Sequence, residues 1–487
     1  MLSRSFIGQI LMGQTHRNTL MPRNAIWLGL TLVLLAGCSG QDYGNSAVPA
    51  VQPAAKPEVV ARADFRQTVQ SAKDKVFPAV VYIKCLRESH ESGKKQTYEV
   101  AGSGVIISTK GEVLTNWHVV DKAVEIRCLL YDGRAFDAKL VGSDKDTDLA
   151  LVQLQETEKS SALPIAQLGD SSQLKEGDFV MAMGAPWGLS RSVSIGIISC
   201  TRRFLPQQSQ YSLWLQTDAS ISPGNSGGPL VNTDGQVIGI NTLGANSGGD
   251  LGFAVPSGTI RIVWSQLHEF GKMNWTWTGL QLQPLRDFEH NQYFQAEEGV
   301  VVADTDEDSP AKRAGISSRD RILKINGKKV TALTDENLPE LRTELGLLPK
   351  QSPVEIVLDR GGTEISFTVT PREKGKVEGE ELDCPRWDLT VKSINQFDNP
   401  ELYLHRQKGV YVLGVKPRGN ARDAGLNEQD IILKIEDKDI VALDDVKALH
   451  AKSLETVKEN HRLRFTVLRN GLMRQIILDF LRDYEKE

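Results

Sequence analysis

The strongest constraint on the fold lies between Ala79 and Pro256, where short β-branched runs follow one another with scarcely a helical stretch. AVVYIKCL, GSGVIIS, EVLTNWHVV, AVEIRCLLYDG, AFDAKLVGSD and DLALVQLQ come first, then FVMAMGAP, SVSIGIISCT, YSLWLQT, PLVNTDGQVIGINTL and LGFAVP. β-Branched and aromatic side chains suit a pleated, half-buried surface. Many short strands punctuated by Gly, Asp or Lys turns predict an all-β sandwich or a pair of barrels. TIRIVWSQLHEF, Thr259 to Phe270, has helical spacing and closes this region, with Gly271 as its stop.

Inside the strand series stands LQTDASISPGNSGGPL, whose centre puts Ser226 among Gly224, Asn225, Gly227 and Gly228. Glycines there allow unusual dihedrals and let backbone N–H groups face a substrate. Ser226 is therefore a candidate nucleophile, with those amides as its oxyanion hole. The letters also fit the G-x-S-x-G elbow of α/β-hydrolases, which needs a helix straight after the serine. Here PLV, the turn NTDG and QVIGI follow, which predicts a hairpin and removes that reading. A Ser–His–Asp arrangement needs an imidazole and a carboxylate. Of eight histidines, only His118 ends an apolar strand within the β region; His90 falls in the polar loop RESHESGKKQ and is expected to be solvated. Asp148 directly precedes LALVQL, whereas Asp144 and Asp146 fall in a more polar turn. The D-x-D-x-D spacing of these three resembles the start of an EF-hand, but Leu149 stands where that loop needs glycine, so no metal is expected.

The N-terminal part concerns location. Ala25 to Gly37 is an apolar run after Arg23, too short to span a bilayer of about 30 Å but suited to a secretory signal. It ends in Leu35-Ala36-Gly37-Cys38, similar to a bacterial lipobox in which Cys38 carries the lipid, and Met21 is an alternative start. Residues 38–62 are rich in Ala, Pro, Ser and Gln and are expected to form a disordered tether. Asp64 to Lys75 reads as a short amphipathic helix ended by Pro78. With a net charge of -5 and no basic block, the chain offers nothing for nucleic acid. Its five cysteines form no C-x-x-C pair.

Beyond residue 275 the chain repeats itself. Gly299 to Val330 and Gly409 to Ile440 share a strand, then A-x-x-A-G-[IL], then D-x-I-L-K-I, so one small domain occurs twice. Helical runs follow in each copy, Leu338 to Leu345 and Asp445 to Leu454, and the charged stretch Glu373 to Glu381 reads as a linker.

TNWHVV, DTDLALVQL, QTDASISPGNSGGPL and LGFAVPS, in that order, resemble the HtrA (Deg) family of envelope serine proteases, and the duplicated modules resemble PDZ domains. The resemblance implies a mainly β fold: a chymotrypsin-like double β-barrel at 63–275, then PDZ domains, small α+β barrels, at 276–375 and 376–487, behind a signal at 1–37. It makes His118 the general base, Asp148 its orienting carboxylate and Ser226 the nucleophile, with Gly224, Asn225 and Ser226 amides as oxyanion donors. Ala219, Ser220, Ile221, Leu251 and Phe253 are expected to line the specificity pocket. Ser220 stands where a carboxylate would select Lys or Arg, so small aliphatic residues are the expected preference. Arg202 and Arg203 fall where the family senses its PDZ state. The first carboxylate-binding loop is expected at Thr278, Gly279, Leu280 and Gln281. In the second, Asp388 replaces the usual glycine, and its charge is expected to repel a peptide C-terminus. The short loop at 86–100 predicts no long inhibitory loop. No cofactor is implied. The implied activity is ATP-independent endoproteolysis of unfolded or damaged proteins, by a lipid-anchored homotrimer or larger assembly, controlled by C-terminal peptides. The rival reading is a catalytically weak PDZ-based chaperone or binding protein.

Overall fold

The computed structural model describes residues 64–484, except 156–161, 187–190, 246–250 and 289–295. Cys38, the signal and the tether lie outside them. The predicted N-terminal helix is α1 (Phe65–Val76), capped by the Asp64 carboxylate and stopped by a 3-10 turn holding Pro78.

The strand-rich region makes two closed six-stranded barrels. The first joins β1 (Val80–Ser89), β2 (Gln96–Ile106), β3 (Glu112–Thr115), β4 (Ala123–Leu129), β5 (Ala135–Asp144) and β6 (Leu149–Leu154) in the order β1-β2-β3-β6-β5-β4. A single helical turn, α2 (Trp117–Val120), follows β3. The second barrel joins β7 (Phe179–Gly184), β8 (Ser192–Phe204), β9 (Leu213–Thr217), β10 (Pro229–Asn232), β11 (Val237–Ala245) and β12 (Leu251–Pro256) in the order β10-β11-β12-β9-β8-β7. Closure leaves no unpaired edge to satisfy. The hairpin expected after Ser226 is the β10–β11 pair. Helix α3 (Ser257–Phe270) ends at Gly271, whose φ of 69° is left-handed. Its buried face (Ile260, Val263, Leu267) joins one core with Val81 and Leu151 of the first barrel and Met183, Trp214 and Val255 of the second.

The duplication survives in detail. The first PDZ module carries β13 (Thr276–Trp277), β14 (Leu280–Gln283), β15 (Val300–Thr305), α4 (Pro310–Ala314), β16 (Arg321–Ile325), β17 (Lys328–Lys329), α5 (Leu338–Gly346), β18 (Val354–Arg360), β19 (Thr363–Val369) and β20 (Arg372–Glu373). The second carries β21 (Glu381–Cys384), β22 (Leu389–Ser393), α6 (Pro400–His405), β23 (Val410–Val415), α7 (Asn420–Ala424), β24 (Ile431–Ile435), β25 (Lys438–Asp439), α8 (Leu443–Glu455), β26 (Arg462–Arg469) and β27 (Leu472–Asp479). In both, a buried aspartate of the repeated D-x-I-L-K-I motif takes two guanidinium bonds: Asp320 from Arg360 and Asp430 from Arg469. The same arginines reach the carbonyls of Gly315 and Gly425 that end α4 and α7.

The modules differ at one edge. In the first, β13 runs off to pair with β20, and β14 is the outer strand of its sheet. In the second, β21 folds back onto β22, giving β21-β22-β23-β24-β26-β27.

Candidate active site

His118 owes its place to a change of structure at the end of β3. Thr115 closes the strand, Asn116 is extended, and the one-turn helix α2 lifts the imidazole out of the barrel. Asn116 Nδ2 donates to the Asp148 carbonyl at 2.9 Å and to Thr242 Oγ1 at 2.9 Å, tying three segments together. Asp148 sits at φ 54°, a left-handed conformation that aspartate tolerates better than most residues. That twist turns its carboxylate back on α2. Oδ1 accepts from the His118 backbone N–H at 3.0 Å, and the ring Nδ1 lies 2.8 Å from Oδ2. An ionised carboxylate only accepts, so Nδ1 carries the proton and Nε2 is left as the acceptor.

Ser226 arrives on the tight turn before β10, at the seam between barrels. Gly227 has φ 84°, and a Cβ there would lie 2.1 Å from the Ser103 carbonyl and 2.3 Å from Thr115 Oγ1. Any larger residue would push the serine loop off the first barrel. Ser103, wholly buried on β2, fixes the loop by donation: its N–H to the Ser226 carbonyl at 2.8 Å, its Oγ to the Gly224 carbonyl at 2.6 Å. Sequence reasoning missed Ser103, Asn116 and Thr242. A small polar residue between two glycines, as in Gly102-Ser103-Gly104, is the signal that marks the first.

Ser226 Oγ donates to the Thr242 carbonyl at 3.0 Å, and among the described residues no hydrogen bond joins it to the His118 ring. A rotation of the hydroxyl is therefore needed before proton transfer, a common feature of substrate-free sites. The expected oxyanion donors divide. The Asn225 N–H is already given to the Ser222 carbonyl at 3.0 Å, a turn closed by the left-handed Gly224 (φ 98°). Among the described residues, the N–H groups of Gly224 and Ser226 have no acceptor and remain free to donate.

The pocket expectation needs correction on one strand. Ala219 and Ile221 do share a cluster with Ala254 and Leu215. Side chains alternate across a strand, however, and on β12 the residues on their side are Gly252 and Ala254. Phe253 faces the main core, and Leu251, partly exposed, shares its side of the strand. A Cβ on Gly252 would meet Ile221 Cδ1 at 2.8 Å, and one on Gly244 the Ile221 carbonyl at 2.3 Å. The Ile221 side chain thus lies over Gly252 and its carbonyl against Gly244, two glycines paired across the sheet; Ser220 is exposed.

The loops behind the site meet the first PDZ module. Arg202 Nη1 lies 2.6 Å from Glu340 Oε1 on α5, while Arg203 Nε stays within the barrel, donating to Gln216 Oε1 at 2.9 Å. Thr343 of α5 donates to the Tyr211 carbonyl at 3.1 Å, and the Tyr211 ring stacks on Trp275 with centroids 4.6 Å apart. Asp144 and Asp146, in the polar turn before Asp148, join the barrel to the residues that follow it. Asp144 is buried, accepts from Trp275 Nε1 at 2.9 Å and from Thr147, and burial pushes its carboxyl up to about 6. Asp146 pairs with Lys374 at 2.6 Å. His90, expected in solvent, is largely covered, with Nδ1 3.0 Å from Glu381 Oε2.

In the second module, the structure overturns the expected role of Asp388. Its φ of 55° matches the left-handed Gly279 (φ 76°) of the first loop, but its carboxylate points inward. Oδ2 accepts from the Asn420 N–H at 3.0 Å at the start of α7, and Oδ1 lies 3.3 Å from Lys416. The swap is reciprocal. A Cβ on Gly279 would strike Ser309, the cap of α4, whereas Gly419 replaces that serine and a Cβ there would strike Asp388. The capping oxygen has moved from one strand of the chain to the other.

A double barrel that holds serine, histidine and aspartate at its seam, followed by two PDZ folds, defines a trypsin-like serine peptidase with two appended PDZ modules. The chain matches the trypsin-like peptidase domain family over residues 102–240 and the PDZ domain family over 278–370 and 390–479. It is 37% identical over 353 residues to a probable periplasmic serine endoprotease DegP-like of Halomonas elongata, covering 70% of this chain and 72% of that one. It is 35% identical over 346 residues to periplasmic serine endoprotease DegP of Salmonella typhimurium, covering 70% of each. The solved HtrA-type protease AlgW with tripeptide superposes with a TM-score of 0.56 at 32% identity, over 63% of this chain and 97% of that chain. The chain belongs to the DegP-like, HtrA-type family of serine endoproteases of the bacterial periplasm.

Proposed function

We propose that the chain cleaves unfolded or damaged envelope proteins by acyl transfer through Ser226. The Asp148–His118 pair, held by a side-chain and a backbone bond to one carboxylate, is the observation that carries this reading. His118 Nε2 takes the Ser226 hydroxyl proton as Oγ attacks the scissile carbonyl, then returns it to the leaving amine, while Asp148 steadies the imidazolium. The Gly224 and Ser226 amides receive the oxyanion, each donor being worth about 3–4 kcal/mol of transition-state stabilisation. Residues 63–275 form the protease domain in this reading, and 276–375 and 376–487 the PDZ domains. The surface beside Ile221 takes valine or alanine before the scissile bond. C-terminal peptides bind the first PDZ module at Thr278–Gln281, and Arg202 relays their presence to the barrel. Cys38 carries a lipid that holds the enzyme at a membrane, and the chain assembles as a trimer or larger homo-oligomer.

Casein digestion and fluorophosphonate labelling test the central claim. Wild type should digest casein and take the label at Ser226, and Ser226→Ala should do neither. Digestion retained by Ser226→Ala would remove it; a full chain that binds unfolded protein but never labels would restore the chaperone reading.

A further inference from the structure

We infer that the second PDZ module is permanently occupied by its own chain: strand β21, Glu381–Cys384, fills the groove that would receive a C-terminal peptide. The comparison is internal to the molecule. In the first module β14 is an outer strand facing α5, with Leu282 buried against Leu338, Leu341 and Leu345. An extended peptide can add to such an edge through main-chain hydrogen bonds. The equivalent strand β22 has no free edge. Antiparallel β21 pairs with it residue for residue: Glu381 with Lys392, Leu382 with Val391, Asp383 with Thr390 and Cys384 with Leu389.

The insertion is packed as a ligand would be. Cys384 is fully buried in one cluster with Leu389, Trp387 and Val446 of α8. Past it, the Pro385 carbonyl accepts from His450 Nε2 of α8 at 2.7 Å, and Trp387 Nε1 donates to Ser453 Oγ of the same helix at 3.0 Å. A peptide would have to displace both the strand ladder and this covalently tethered turn. The tether gives the internal strand a high effective concentration, which a free peptide must overcome.

The outer side of the same segment clamps the protease domain. Glu381 Oε1 lies 2.5 Å from Lys122 Nζ, and Glu378 Oε1 lies 2.6 Å from Lys145 Nζ. Lys122 stands just past the helical turn of His118, and Lys145 begins the turn that ends at Asp148. The tip of the β1–β2 hairpin packs on the neighbouring strands: Thr390 Oγ1 donates to the His90 carbonyl, and Gly93 lies too close to Lys416 for any side chain. The second module therefore acts as an internally liganded brace on the two loops that hold the histidine and the aspartate. This does not depend on whether the first module binds peptides.

Cys384 gives a direct readout in the full chain carrying Ser226→Ala. Iodoacetamide alkylation, mapped by mass spectrometry, should be at least about 100-fold slower at Cys384 than in the unfolded chain, as at the buried Cys85 and Cys128. Reversing both clamp charges, Glu378→Lys with Glu381→Lys, should raise the Cys384 rate about tenfold or more and leave Cys85 and Cys128 unchanged. A photo-crosslinking decapeptide with a free valine carboxylate should mark nothing in β22 or α8 of the unreversed chain; marks at Thr278–Gln281 report the first module separately. Rapid alkylation of Cys384 in the folded chain, or crosslinks in β22 or α8, would overturn the occupied groove. An unchanged Cys384 rate after charge reversal would overturn the brace.

Discussion

Ser103 of the first barrel holds Ser226 of the second from behind, with its backbone N–H on the Ser226 carbonyl and its hydroxyl on the carbonyl of Gly224. The nucleophile is thus shaped by a residue from the opposite barrel that never meets substrate. The hydroxyl also accepts from the Ala185 N–H at 2.8 Å, so it closes a small buried network.

Ser103→Ala leaves the Gly224 carbonyl and the Ala185 N–H without partners in a dry site. Such losses cost about 1–3 kcal/mol. Because the misplaced group is the oxyanion turn, kcat on a short peptide should fall about 10- to 100-fold. Thr fills the site with the same hydroxyl, and Ser103→Thr should recover part of that kcat. An alanine variant with wild-type kcat but a lowered Tm would leave Ser103 a role in stability alone.

Arg202 and Arg203, adjacent in sequence, should separate in function. Side chains of the Arg202–Glu340 pair are 49% and 61% exposed, so the pair contributes no more than about 1 kcal/mol to stability. Arg202→Ala should therefore leave Tm unchanged while reducing peptide-stimulated cleavage by up to about fivefold, as should Glu340→Ala. Basal cleavage should stay as it was. Equal stimulation in wild type and Arg202→Ala would rule the relay out.

Ile221→Ala removes the side chain that lies over Gly252. The preferred residue before the scissile bond should move from valine or alanine toward leucine or phenylalanine, with a ratio of kcat/KM changed about 10- to 100-fold. Profiling with a peptide library reads this directly. If Ile221→Ala kept its preference for small residues, that preference would have to be set by other groups.

Asp144 makes the joint between barrel and first PDZ module sensitive to pH. Its carboxyl is raised from 3.8 to about 6, first by burial and then by the neighbouring Asp146. An acid raised in the native state binds its proton more tightly folded than unfolded. Its stabilising contribution is complete below about pH 4 and is lost as pH rises through about 6, by at most about 3 kcal/mol. Since Trp275 Nε1 donates to this carboxylate, tryptophan emission should titrate with a midpoint near 6. The transition should vanish in Asp144→Asn; its survival there would assign it to another group.

Much of the site could be read along the chain because its constraints are local. The succession of β-branched runs and turns demands a mainly β region, sandwich or barrel pair, and a glycine-flanked serine before a hairpin demands a turn with exposed amides. His118, Asp148 and Ser226 each stand at a break in such a pattern, and the structure brings them to one seam. What went wrong went wrong through register and long-range contact. Leu251 and Phe253 differ from Gly252 by one residue, which on a strand is the difference between two faces. Asp388 carries a charge that its position makes threatening to a peptide, but the loss of a side chain at Gly419, thirty-one residues later, gives it an inward place.

Periodicity and turn chemistry act over a few residues, so the strand-rich region, the duplication and the three chemical groups of the site were legible along the chain. Closure of the sheets into barrels, the free amides of the GNSGG turn, the hold of Ser103 on it, and the pairing of β21 with β22 in the second PDZ module emerged with the three-dimensional packing. Those depend on pairings between strands and on contacts across domains, where a hydrogen bond or a filled volume is set by segments far apart in the chain.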